Sequence, residues 1–160
     1  MGVDASQFDF QANPLPLYNG DLEKEGMPEN VKLLKERVRA ADIVIYSSPE
    51  YNATFTPMTK NTIDWVSRAM EEGSSNEWSG KIVGLMSAAP GPIGGLRSLI
   101  GLRVLMSGVG AFVVPSQVAV GLGGEVIGED ELDNERAAAM FTKMLEEVVS
   151  TAQCMRSKPV

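Results

Sequence analysis

Three short apolar runs limit what this chain can fold into. Asp42-Ile43-Val44-Ile45-Tyr46-Ser47, Lys81–Ser87 and Gly110–Val114 are strand-length, rich in β-branched residues and nearly free of polar interruption, as expected of strands buried on both faces. The segments between them carry helical spacing. Val31, Leu34, Val38 and Ala41 recur on one side while Lys32, Lys35, Glu36 and Arg39 face away, which predicts a helix over about 28–40 with Pro28 as its first residue. A second helix is predicted from Pro57 to about Glu72, ended by Gly73-Ser74-Ser75, with Met58, Ile63, Trp65, Val66 and Met70 giving it two partly apolar faces. A third covers about Leu96–Ser107. A last one runs over about 131–153, with Leu132, Arg136, Met140, Met144, Leu145 and Val148 turned inward. Strands alternating with helices imply βαβ crossovers and a parallel sheet covered on both sides.

The remaining segments are irregular. Residues 1–27 read as an entry segment with at most one short strand. Pro115-Ser116 interrupts the third strand, Gln117–Val120 continues it in extended form, a Gly-rich link follows through Gly128, and residues 157–160 read as a frayed tail. No internal repeat is present, and 160 residues suit a single domain over 1–160.

Composition removes whole classes of chemistry. Histidine is absent and Cys154 is the lone cysteine, so His-based nucleophile systems, imidazole metal sites and an internal disulfide are all excluded. The net charge of −7 argues against a nucleic-acid partner, because a polyanion needs a basic face. No apolar run reaches about 18 residues and no secretory pattern is seen, so a soluble, cytoplasmic protein with no membrane partner is expected. Met1-Gly2-Val3-Asp4-Ala5-Ser6 matches a myristoylation pattern, but no basic cluster beside it supplies the second membrane signal.

In open parallel sheets, ligands lie beyond the carboxyl ends of the strands. Two unusual loops fall there. Pro49-Glu50-Tyr51-Asn52 places a fixed bend, a carboxylate, a ring and an amide side by side after the first run. Ala88-Ala89-Pro90-Gly91-Pro92-Ile93-Gly94-Gly95 follows the second and opens into a helix, whose amino end offers unpaired N–H groups. Each has a plain structural reading, as a strand-ending turn and a tight strand-to-helix connection. The glycine loop fits neither the dinucleotide fingerprint nor the P-loop. Arg97 and Arg103, on the following helix, are candidates for a phosphate contact or for ion pairs.

These residues carry a resemblance. Ser48-Pro49-Glu50-Tyr51-Asn52, then Lys60-Asn61-Thr62-Ile63-Asp64-Trp65-Val66-Ser67-Arg68, then Gly80-Lys81, then Ala89-Pro90-Gly91 and Gly94-Gly95-Leu96-Arg97 resemble the NAD(P)H-dependent FMN reductases, relatives of flavodoxin. Leu15-Pro16-Leu17-Tyr18-Asn19-Gly20-Asp21-Leu22 is similar to the segment after that family's second strand. The resemblance implies a flavodoxin-like three-layer sandwich of α/β class, a parallel sheet of strand order 2-1-3-4-5, and FMN at the strand ends. It places Pro49, Glu50, Tyr51, Asn52, Ala89, Pro90, Gly91, Gly94 and Gly95 at the cofactor. It implies hydride transfer from NAD(P)H through FMN to a small-molecule electron acceptor: a quinone, an azo compound, a metal oxyanion or free flavin. No catalytic acid–base side chain and no metal are required. A homodimer or homotetramer is implied, with the helix after Pro57, Trp65 included, in the dimer contact.

The resemblance has a gap. That family begins with a strand and a G-S-x-R-x-x-S loop that cradles the FMN phosphate, and no such stretch occurs in this sequence. The expectation is an N-terminally truncated domain, through a misplaced start or shortened chain, a natural loss of flavin binding, or a phosphate site supplied by a partner subunit. Such a chain would bind FMN weakly or not at all, and would expose strand edges that favour oligomers. The alternative function is a non-catalytic, oligomer-forming flavodoxin-like protein.

Overall fold

A computed structural model of the chain describes residues 2–68, 76–121 and 134–156. Their elements run α1 (Gly20–Glu25), α2 (Glu29–Ala40), β1 (Ile43–Ser47), β2 (Glu50–Tyr51), β3 (Thr54–Phe55), α3 (Pro57–Ser67), β4 (Ile82–Ala89), α4 (Leu96–Gly108), β5 (Phe112–Gly121) and α5 (Glu135–Arg156). β1, β4 and β5 form a parallel sheet in that order, and β2 and β3 form a separate two-stranded hairpin. The sheet is the middle of three layers. One apolar core joins α2, α3 and α4 to it through Leu34, Val38, Ile63, Val66, Leu99, Leu102 and Met106. The other joins α5 through Ala137, Met144, Val148 and Ala152. The α/β, flavodoxin-like arrangement expected from the sequence is therefore the one observed.

β5 is one strand with an irregularity where Pro115-Ser116 suggested a break. Val83 pairs with Val113 and Leu85 with Gln117, so three residues of β5 stand opposite Gly84 alone. A bulge leaves backbone groups unpaired and tolerates a proline. Arg103 of α4 takes up the freed acceptors, donating to the carbonyls of Val114 at 2.8 Å and Pro115 at 3.2 Å and to the Gln117 side chain. From the opposite layer, the Glu147 carboxylate accepts from Ser116 N at 2.9 Å. Arg103 is thus engaged within the fold.

Several sequence expectations change. β1 is not fully buried: among the described strands it pairs only with β4, and Ile45 is 37% exposed. Its apolar composition reads as a central strand, yet no described strand lies on its outer side. The entry segment contains no strand among its described residues but does contain the short helix α1, capped by the Asn19 side chain. Pro28 is the N-cap of α2 instead of its first residue. Lys35 does not face away; it is fully buried, and its ammonium donates to the carbonyls of Val66 and Arg68 at the end of α3. Those last helical carbonyls have no partner in their own helix, which is why a cation is drawn inside. Burial lowers the Lys35 pKa, and Glu77, 3.9 Å away, opposes that shift.

α3 ends at Ser67, short of the expected Glu72; Met70 and Gly73-Ser74-Ser75 lie outside the described residues. In α5, Arg136 is exposed, while Met144 and Val148 are buried as expected together with Ala137 and Ala152, and Met140 packs against them partly buried. Leu132, the Gly-rich link from 122 onward and the tail from 157 also lie outside the described residues.

Candidate functional site

The two candidate loops leave the carboxyl ends of neighbouring strands. The first is built on Ser48, which is fully buried. Its hydroxyl donates to the Pro49 carbonyl at 3.0 Å and accepts from the Thr59 hydroxyl at 2.9 Å. Thr56 caps α3 by accepting from Thr59 N at 3.2 Å, with Pro57 at the first helical position. The turn is thereby pinned to the start of α3 at both ends. Between these points, Glu50 and Tyr51 pair with Phe55 and Thr54, and the hairpin closes through Asn52 at φ 50° and Ala53 at φ 65°. Two consecutive left-handed residues define the tight hairpin turn that matches strand twist. Tyr51 is 59% exposed at its rim.

The second loop is shaped by glycines. Gly95 is the N-cap of α4 at φ 82°, and a Cβ there would lie 2.0 Å from the Ser87 hydroxyl oxygen. A Cβ on Gly94, at φ 59°, would lie 2.5 Å from the Val120 backbone. These two glycines let the loop backbone press onto β4 and β5. Gly91 differs: nothing lies within 4 Å of its would-be Cβ, and it is exposed beside Pro90. Ala89 is buried as the last residue of β4.

One side chain joins the loops. The Glu50 carboxylate accepts from Arg97 Nε at 2.9 Å, from the Arg97 terminal nitrogen, and from Ser98 N at 3.2 Å. The Arg97 hydrogen bond, aided by the backbone donors, holds its carboxyl below the usual carboxylate range. The sequence pointed to Arg97 but not to this pairing or to Ser98. A glycine N-cap, which has no side chain to cap its own helix, was the signal for a cap arriving from elsewhere.

The structure therefore brings Glu50 of the turn beside Gly95 of the second loop. It does not bring the nine candidates into one enclosed cavity. A cavity of about 430 Å³ runs along the outer side of β1, lined by Phe8, Phe10, Tyr46, Thr62 and Trp78 among others, and of the nine it touches only Pro49. The candidate site is an open shelf of exposed Pro49, Tyr51, Asn52, Pro90 and Gly91.

That shelf suits the ring system of FMN better than its phosphate. An exposed ring, prolines and glycine backbone can border a flat heterocycle. On α4 and the two loops, however, both cations are engaged within the chain, Arg97 by Glu50 and Arg103 by the bulge, and Ser98 N is already bonded to a carboxylate.

Trp65 lies inside the chain. It is fully buried, its indole packs edge-on against Tyr18 with ring centroids 5.0 Å apart, and its N–H donates to the Pro16 carbonyl. Asn61 donates to the same carbonyl and accepts from Tyr18 N. The Asn61–Trp65 motif thus fastens the Leu15–Tyr18 segment onto α3. No described helix is long and apolar enough to cross a membrane.

Comparison with known proteins gives these features a common origin. A quinone reductase of Escherichia coli K12 is 34% identical over 130 residues, covering 75% of this chain and 67% of that protein. An NADPH azoreductase of Bacillus sp. is 35% identical over 113 residues, covering 71% of this chain and 59% of that protein. The structure of FerB, a flavoenzyme NAD(P)H:(acceptor) oxidoreductase from Paracoccus denitrificans, superposes with a TM-score of 0.75 at 29% identity, over 88% of this chain and 76% of that one. The chain spans about half the length of several curated relatives it matches: 46%, 42% and 59%. The family model described as NADPH-dependent FMN reductase matches residues 1–125, and the chain belongs to that family.

Proposed function

We propose that this chain serves NAD(P)H-dependent reduction of a small-molecule acceptor, a quinone or an azo compound, through FMN. The observation that carries the reading is the pairing of two family-type loops at the carboxyl ends of β1 and β4, within a chain matching the FMN reductase model over residues 1–125. Pro49, Glu50, Tyr51 and Asn52 would stand along one side of the isoalloxazine, and Ala89, Pro90, Gly91, Gly94 and Gly95 along the other. FMN held there would supply the hydride-transfer chemistry between NAD(P)H and the acceptor. The chain's part is to hold the ring between two rigid loops and to keep charge away from it, since the one carboxylate of the turn is neutralised by Arg97. A metal oxyanion or free flavin would be served by the same open shelf.

Titration of FMN into the purified chain, followed by flavin fluorescence, tests this reading. Quenching that saturates, with NADPH bleaching the bound flavin anaerobically, is the expected result. A chain that neither quenches FMN nor oxidises NADPH in the presence of a quinone refutes it.

A second reading, a non-catalytic oligomer-forming flavodoxin-like protein, is favoured by one observation: the cations nearest the shelf are engaged within the chain. Under either reading α4 would offer a homodimer an apolar surface. Leu96, Ile100 and Val104 lie along the solvent side of α4 at 41%, 60% and 70% exposure, while Trp65 of α3 is inside.

A further inference from the structure

We propose that Glu50 is a positioning residue: its carboxylate clasps the β2–β3 hairpin to the first turn of α4 and so sets the gap between turn 49–52 and loop 89–95, without itself touching the ligand. The inference rests on the FMN reading above for the identity of that ligand.

The need for such a clasp follows from Gly95. The first N–H groups of a helix have no partner within it, and a side chain at the N-cap ordinarily supplies one. At this position a side chain is forbidden, since its Cβ would lie 2.0 Å from the Ser87 hydroxyl. The hydroxyl of Ser98 is turned to the Gly95 carbonyl at 2.8 Å and the Ser87 hydroxyl at 3.2 Å. The cap comes instead from 48 residues away, where Glu50 accepts from Ser98 N. A carboxylate also suits the partial positive charge of a helix amino end.

The same bond fixes the site. Glu50 begins the hairpin that carries Tyr51 and Asn52, and Ser98 is the third residue of α4, into which the loop with Pro90 and Gly91 leads. The Cβ of Glu50 lies 3.5 Å from the position a Cβ on Gly95 would take, so the two backbones meet at this point. The Glu50 side chain is only 5% exposed, which leaves its oxygens turned to α4 and away from the shelf. Arg97, whose side chain is 59% exposed, lies over it as a lid.

A double-mutant cycle separates a clasp from a ligand contact. Glu50→Gln, Arg97→Met and the double variant of the full chain are compared by hydrogen exchange and by FMN titration. The clasp predicts that Glu50→Gln exchanges about tenfold faster over 96–99 and in the hairpin, with Leu102–Met106 unchanged. It also predicts that each single variant weakens FMN about tenfold and that the double variant is no worse than the weaker single. Unchanged exchange overturns the proposal. Multiplied losses, about a hundredfold in the double, also overturn it, because they make Glu50 an independent ligand contact. Faster exchange with unchanged FMN affinity reduces Glu50 to a helix cap and overturns the positioning role. If the wild-type chain binds no FMN, the proposed function falls, and exchange in the hairpin and over 89–95 decides the clasp alone. Should Glu50→Gln not fold, Glu50→Asp, which keeps the charge but shortens the reach to Ser98 N, carries the same comparison.

Discussion

The indole N–H of Trp65 donates to the carbonyl of Pro16 at 2.8 Å, joining residues 49 positions apart. This contact turns the most conspicuous aromatic of α3 into an internal fastener. Replacing Trp65 with Phe keeps most of the ring but removes the donor, while Asn61 still serves the Pro16 carbonyl. The expected loss is about 1–2 kcal/mol in urea unfolding, with no change in oligomeric state by light scattering. A change of oligomeric state with unaltered stability would return Trp65 to an interface role.

Ala53 occupies φ 65°, where a Cβ is unwelcome and glycine is the favoured partner of a preceding asparagine. Ala53→Gly is expected to stabilise the protein by about 0.5–1 kcal/mol, the relief of strain exceeding the added freedom of the unfolded chain. Thermal denaturation checks it, and a lowered Tm counts against a left-handed Ala53.

The glycines of the second loop should divide by role. Gly95→Ala meets the Ser87 hydroxyl and a positive φ together, and is expected to cost about 3 kcal/mol or to leave the protein insoluble. Gly91→Ala enters open space and should change stability by less than about 0.5 kcal/mol. Any weakening of FMN binding in Gly91→Ala then reports on the ligand and not on folding.

Acid should loosen the clasp. The folded pKa of Glu50 lies below its ordinary 4.5, chiefly through the Arg97 hydrogen bond, and that of Glu77 is lowered likewise by Arg39. A depressed carboxyl adds stability that is full above the unfolded value and lost as pH falls through the folded one. The wild-type Tm should therefore fall as pH drops below about 4.5, and less steeply in Glu50→Gln. Parallel curves for the two proteins would contradict this assignment.

On α4, Val104→Glu places a charge in the exposed Leu96–Ile100–Val104 line without touching the core. If two copies meet there, the variant should be monomeric by light scattering at concentrations where the wild type is dimeric, with FMN affinity unchanged. A dimer that survives the charge places the contact elsewhere.

The alternation of apolar runs with 3.6-residue periods was enough to determine the α/β class, the parallel sheet and the position of both loops, because those signals are local. Family membership was equally legible, since the motifs are contiguous. Relations across long stretches of chain were not. Ile45 belongs to an apolar run that reads as central, and only the strand order shows its edge. Lys35 lies among charges that read as exposed, yet the end of α3 demands its ammonium. Glu50 read as a solvated or flavin-side carboxylate, and nothing near it in sequence reveals that Ser98 lacks a cap. Such partners are chosen by unsatisfied hydrogen bonds and by the space left between packed layers, and both exist only once the chain has folded.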